Sequence, residues 1–241
     1  MKQDFKSTEK RLSILTDSER KIIYSLPNFT NLERRHYFDL EKIEEDIVHN
    51  KLNGLNSKLY FILQLGYFKC SSRFFKFSFD EVVEDIEYIL GKFFPKQSFN
   101  FNTIKQHCDR KTIFNHQSTI LKLFSKRFPT KNDKEDLFKK AKSIVYIDAN
   151  PKYIFKEIVR FTSEHNIILP AYSTIQKLIS KAIIVSEQEL FISLENLMDD
   201  DLTQNLKNLF KKESKFRYQL TLIKAPLQSF SKKQATTERK T

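Results

Sequence analysis

Tryptophan is absent from the 241 residues, glycine occurs only three times, proline six times and cysteine twice. So little glycine and proline, with several prolines standing where helices would end, favours an all-α fold over a strand-and-turn architecture. Cys70 and Cys108 lie on separate segments, with no second Cys or His at metal-ligand spacing. That argues against a disulfide framework or a zinc site and fits a reduced, intracellular setting. Long hydrophobic runs are missing as well. The longest, Leu59 to Phe68, is interrupted by Gln64 and is too short to span a bilayer. Met1-Lys2-Gln3-Asp4 opens on polar residues without the apolar stretch of a signal peptide, so a cytoplasmic location is expected.

What the chain does have is positive charge. Forty-two Lys and Arg stand against 30 Asp and Glu, a formal net charge of +12, which makes a polyanion the first partner to consider. Abundant Lys, Asn, Ile and Phe are also what AT-rich coding DNA produces, so part of this excess carries no functional meaning. Its distribution says more. Residues 92–142 hold 13 Lys and Arg against 4 acids, a regional concentration suited to nucleic acid.

Start and stop signals divide the chain into helices. Thr16 and Glu19 make a capping box ahead of Ile22, Ile23 and Leu26, and Pro27 closes that segment. Asp39 is placed to cap the stretch holding Leu40, Ile43 and Ile47. Leu59–Phe68 is apolar nearly all round, as in a helix buried at the centre of a bundle, and Gly66 would let a neighbour approach closely. Ser78 and Glu81 form a second capping box before Val82, Val83, Ile86, Ile89 and Leu90, with Gly91 at the helix end. After a linker at Phe93–Ser98, helical patterns follow at about 102–109, 112–128, 133–148, 151–165 (Asn150-Pro151 as cap and first turn), 173–190 and 201–211. The expected fold is all-α, a two-lobed helical bundle with helix-turn-helix-like elements. Its expected divisions are residues 1–94, residues 95–212 and a flexible basic tail from 213 to 241.

Two surfaces are candidates for DNA. On residues 112–128, Ile113, Gln117, Ile120, Leu121, Phe124 and Phe128 share one stripe, while Lys111, Asn115, Thr119, Lys122 and Lys126 line the opposite one. Arg110, Thr112 and His116 form a tighter polar group beside it, and Lys105 precedes it. The bland alternative is a solvated lysine face, and for His116 a core or capping histidine. The second surface belongs to the helix pair separated by Asn166-Ile167-Ile168-Leu169-Pro170. Ser173 with Gln176 makes a capping box, Ile175, Leu178, Ile179, Ala182 and Ile183 face a core, and Ser173, Thr174, Lys177, Ser180 and Lys181 face away from it. A short-polar, cationic outer face is what groove entry asks of a recognition helix, although helix pairs of this kind also fill any bundle.

Five blocks resemble the N-terminal region of the Tn-three family of replicative transposases. The run Asn56-Ser57-Lys58-Leu59-Tyr60-Phe61-Ile62-Leu63-Gln64-Leu65-Gly66-Tyr67-Phe68, followed by Arg73, is similar to its Asn-x-x-Leu-Gly-Phe-x-x-Gln-Leu-x-Tyr-Leu block with a following Arg. Upstream, Arg34 to Leu40 resembles an Arg-x-Tyr-x-Leu element, and Asp109 to Gln117 resembles an Arg-x-Thr-x-x-x-His block. Ile167 to Leu178 resembles an Ile-Val-Leu-Pro-x-x-Ser-Thr-Leu motif, and Leu220 to Pro226 resembles the closing element. Order and spacing hold from about Leu12 to Phe230. Tyr60 replaces the usual glycine, and Ser71-Ser72 stand where Pro-Gly would precede Arg73.

The resemblance implies helical DNA-binding domains that recognise the terminal inverted repeats of a transposon, in a bacterial, nucleoid-associated setting. It adds Arg73 to the candidate contacts. The family's catalytic Asp-Asp-Glu domain lies beyond the matching region, so the expectation is a non-enzymatic product of a truncated gene, without metal or cofactor. Asp199-Asp200-Asp201 read as a helix cap before Leu202. Asp80, Glu81, Glu84, Asp85 and Glu87 read as a solvated helix face, and neither set lies on strands as two-metal phosphoryl transfer requires. The alternative function is a non-catalytic helical module that pairs with a full-length transposase or another protein.

Overall fold

The computed structural model describes residues 12–97, 108–209, 212–214 and 217–218. Among them the chain forms ten α-helices and one short strand pair, so the architecture is all-α. The helices are α1 (Asp17–Tyr24), α2 (Asn31–Tyr37), α3 (Lys42–Asp46), α4 (Leu55–Ser71) and α5 (Val83–Phe93), then α6 (Arg110–Leu123), α7 (Lys131–Val145), α8 (Pro151–Glu164), α9 (Tyr172–Leu197) and α10 (Asp200–Leu209). The chain divides into two compact units, Met1–Ser186 and Glu187–Thr241.

Within the first unit, α4 is the axis of one hydrophobic cluster. Every residue from Leu59 to Phe68 is buried, and α2, α5 and α6 pack around this helix. A helix without a polar face is stable only when neighbours cover it on all sides. Gly66 makes one of these contacts feasible: a Cβ there would stand 2.3 Å from Phe38 Cδ1, well inside van der Waals contact. The helix ends at Ser72, which takes left-handed φ 53° and ψ 36° where the resembling motif carries glycine.

Asp85 on α5 is buried against this helix, contrary to the expected solvated acidic face. It accepts hydrogen bonds from Tyr67 Oη at 2.5 Å and from Arg34 Nε at 2.7 Å, while Arg34 Nη2 reaches Glu84 at 2.6 Å. A buried carboxylate needs such partners, because its desolvation is otherwise uncompensated. Burial, together with the negative charge of Asp85, raises the Tyr67 hydroxyl pKa well above its ordinary value.

A second cluster draws on residues far apart in sequence: Ile14 and Leu15, then Leu137, Ala141 and Ile144 of α7, Ile154, Phe155 and Ile158 of α8, and Ile175, Ile179 and Ala182 of α9. Tyr172 Oη accepts from the amides of Ile14 and Leu15 at 3.3 Å each, and Tyr24 Oη donates to the Pro170 carbonyl at 3.4 Å. Ile120 and Leu121 of α6, beyond the boundary expected at residues 94/95, belong to the first cluster.

Several caps fall where the sequence placed them, at Thr16 with Glu19, Ser78 with Glu81, and Asn150 before Pro151. Others do not. Glu41 rather than Asp39 caps α3, with Glu44 as its reciprocal partner, and the Asp39 carboxylate instead binds Lys92 Nζ at 2.6 Å. Gly91 lies inside α5, which continues to Phe93. Helix α6 stops at Leu123, five residues short of the expected span, because Ser125 turns left-handed (φ 51°) and the Lys126 amide donates back to the Leu121 carbonyl at 2.9 Å.

In the second unit, Asp199 caps α10 through its Oδ1, which accepts from the Leu202 amide at 2.7 Å, as the acidic triplet suggested. Part of the expected tail is ordered as an antiparallel pair, Lys212–Ser214 with Arg217–Tyr218. Residues 215–216 and 219–241 of that tail, and residues 102–107 of the helix expected at about 102–109, lie outside the described residues, while Cys108 and Asp109 are not helical.

Candidate nucleic-acid interface

Helix α6 is anchored at its start by Asp109, whose Oδ1 accepts from the Thr112 amide at 2.9 Å and whose Oδ2 accepts from Thr112 Oγ1 at 2.6 Å. These bonds, made to the charged form, lower the Asp109 pKa. They also engage Thr112, so its hydroxyl belongs to the cap. Ile120 and Leu121 then turn one side of α6 into the first cluster. The opposite side presents Lys111, Asn115 and Lys122 to solvent, as the helical spacing predicted, and Arg110 is exposed at the start of the helix, off that row. Thr119 is half-buried and donates to the Asn115 carbonyl at 3.0 Å. Lys126 is half-buried and lies past the helix end, so it does not extend the row by another turn. Lys105 lies outside the described residues.

Charge on this face is uncompensated. Among the described residues, Arg110, Lys111 and Lys122 make no ion pair. Nearby Arg127 is clamped by both carboxylate oxygens of Asp133, with Nη2 at 2.7 Å from Oδ1. That pairing, with bonds from Thr130, holds the Asp133 carboxyl well below the usual carboxylate range. Arg127 is thus spent on the start of α7. Its backbone also bridges to the α8–α9 connection, donating to the Asn166 carbonyl and accepting from the Ile168 amide, each at 3.0 Å.

On α9, Ser173, Thr174, Lys177 and Lys181 are exposed along one flank while Ile175, Ile179 and Ala182 are buried. The expected Ser173–Gln176 capping box is not formed. The helix begins one residue earlier, and the Gln176 amide reaches across to donate to the Leu12 carbonyl at 2.7 Å. The hydroxyl of Ser173 is thereby released from a capping role. Lys181 Nζ lies 5.2 Å from the centre of the Phe138 ring, a cation–π contact that pulls it partly toward α7.

Two expected contacts are engaged within the protein instead, His116 buried and Arg73 half-buried. His116 is 2% exposed, with Nε2 at 3.0 Å from Ser57 Oγ and the rings of Tyr60 and Phe61 around it. Burial drives its pKa down to about 4, so at neutral pH it is an uncharged core group without charge to offer a phosphate. Arg73 lies over the Tyr24 ring at 3.8 Å, and burial lowers its pKa. It ties α1 to the segment after α4. Helical spacing cannot separate His116 from a surface group, nor can the motif alone place Arg73, because their surroundings are imposed by elements remote in sequence. Lys76 and Phe114, both exposed beside Arg110, escaped the sequence reading because neither lies on the lysine row.

Among the described residues no three His, Cys, Asp or Glu side chains gather as a metal-ligand set. No helix among them is long and apolar enough to cross a membrane. Fold and surface together define an all-helical protein with two buried clusters and a cationic helix face that has no ion-pair partner among the described residues. The chain belongs to the family described as Domain of unknown function (DUF4158), whose profile matches residues 14–182, a span that includes both clusters and both candidate faces. No curated protein matches the chain.

Proposed function

We propose that the chain binds double-stranded DNA, reading transposon terminal inverted repeats as the non-catalytic N-terminal part of a transposase. The observation that carries this reading is the solvent-facing row Lys111, Asn115 and Lys122, with Arg110 exposed at the helix start, whose cations have no ion-pair partner among the described residues. Lysine and arginine left uncompensated along one helix face gain most from a phosphate backbone, through release of its condensed counterions. The exposed Ser173, Thr174 and Lys177 supply the hydroxyls and amine that base edges can engage. Support for a transposon context comes from the five resembling motifs and from the occurrence of this domain in Tn-three family transposases.

Fluorescence anisotropy at two salt concentrations tests the proposal, with duplexes carrying the repeats that bracket the gene and random duplexes of equal length. Lys111→Ala and Lys122→Ala are expected to weaken both duplexes alike, each lowering the salt slope by about one unit. Ser173→Ala and Lys177→Ala are expected to narrow the gap between repeat and random DNA by about 1–3 kcal/mol. Wild-type binding without salt dependence, or four variants that bind like wild type, overturns the reading.

A second reading, pairing with a full-length transposase or another protein, is favoured by one feature of the second unit. Leu190, Phe191, Leu194 and Leu197 form a stripe on α9 and are 51–71% exposed. Residues 182–206 carry six acids and no Lys or Arg. An exposed apolar stripe in an acidic segment suits a basic protein partner better than DNA.

A further inference from the structure

Between the first turn of α6 and the irregular segment at residues 74–78 lies a groove of about 710 Å3, within the range of ordinary ligand pockets. Its floor and one wall are aromatic. Tyr60 and Phe77 are stacked with ring centres 4.9 Å apart, Phe75 is buried beside them, and Phe114 projects from α6 with 62% of its surface exposed. Two exposed cations, Lys76 and Arg110, belong to the same lining, and Arg110 also stands beside the proposed DNA row. Gln117 adds an amide that both donates and accepts. The lining's acid, Glu81, accepts from the Ser78 amide at 2.7 Å and from Ser78 Oγ at 2.9 Å as part of a capping box.

Aromatic faces with cations alongside match one ligand chemistry closely: a flat heteroaromatic ring bearing a phosphate. An apolar molecule would leave Lys76 and Arg110 unused, and a paired base in a duplex presents no free face to Phe114. We propose that the groove binds a nucleotide whose base is unstacked from its neighbours, the base lying against Phe114 and the aromatic floor and the phosphate at Arg110 and Lys76. This deepens the DNA-binding reading and rests on it. An unpaired position in a bound strand and a free mononucleotide offer the same groups. Extrusion costs least where a base is already unpaired, so a duplex with a bulge is the favoured source within DNA.

The test uses the full chain and 2-aminopurine as a fluorescent base, presented as a single bulge in a duplex, as the same base fully paired, and as free 2-aminopurine deoxynucleoside monophosphate. Binding to the bulged duplex about tenfold tighter than to the paired one, with quenching of the fluorophore, is expected, since stacking of one base on an aromatic side chain supplies an effect of that order. Phe114→Ala, a solvent-exposed change that leaves the core intact, is expected to abolish the preference while leaving paired-duplex affinity and its salt slope unchanged. Lys76→Ala is expected to reduce the preference in part. Quenching of the free monophosphate at concentrations as low as those of the bulged duplex supports the groove and assigns it to free nucleotides. Salt-dependent binding without discrimination or quenching overturns the groove and leaves the DNA reading standing. Quenching by the monophosphate with no duplex binding does the reverse. A bulge preference that survives Phe114→Ala overturns the assignment to this groove.

Discussion

His116 shows how a single residue changes meaning with its surroundings. Its spacing puts it at the edge of a cationic helix face, yet its imidazole is enclosed by Tyr60, Phe61 and Ser57. Because its pKa is about 4 in the folded chain and that of an unfolded histidine is about 6.5, the unfolded state binds the extra proton first as pH falls. Stability associated with neutral His116 is therefore fully present above pH 6.5 and is lost between pH 6.5 and 4. Urea unfolding at pH 7.5 and pH 5 is expected to show a loss of about 2 kcal/mol from this group, on the scale of 1.36 kcal/mol per pKa unit. His116→Gln is expected to remove that part of the pH dependence. An equal loss in the variant would show that other groups are responsible.

Among the elements, α4 has the narrowest tolerance. Its neighbours α2, α5 and α6 occupy every side, and at Gly66 the Phe38 ring fills the space a side chain would need. Gly66→Ala would gain helix propensity in an exposed helix, but here the added methyl must displace a ring that is itself fully buried. Overpacking is expected to win, destabilising the protein by about 1–3 kcal/mol. Thermal or urea denaturation measures this, and an increase in stability would mean that α2 and α4 do not meet at Phe38. The outward face of α6 is the reverse case, since its exposed lysines can be replaced without disturbing Ile120 or Leu121 beneath them.

At the scale of the whole molecule, the first unit is closed by its own N-terminal segment. Ile14 and Leu15 enter a cluster otherwise made by α7, α8 and α9, and three hydrogen bonds from Tyr172 and Gln176 secure residues 12–15 across more than 150 positions of sequence. Deleting residues 1–24 is expected to destabilise this unit by about 3–6 kcal/mol, the worth of two buried aliphatic side chains. Denaturant unfolding monitored by circular dichroism checks it. A truncated chain with the wild-type midpoint would refute the packing of this segment on α8 and α9.

Local pattern alone was enough for the all-α class, for the capping boxes at Thr16 and Ser78, for the buried run Leu59–Phe68 and for the outward lysines of α6. Each depends on contacts within a few residues, where periodicity and short-range hydrogen bonding are read directly from order. The roles of His116, Arg73, Gln176 and Asp85 were decided only by tertiary structure. Each is polar, and each is claimed by a partner 49 to 164 residues away: Tyr24 for Arg73, Arg34 for Asp85, Ser57 for His116 and Leu12 for Gln176. The groove beside Arg110 likewise exists only because α4, α6 and the segment after Ser72 converge. A side chain's environment is set by what folds against it, and that information is not local.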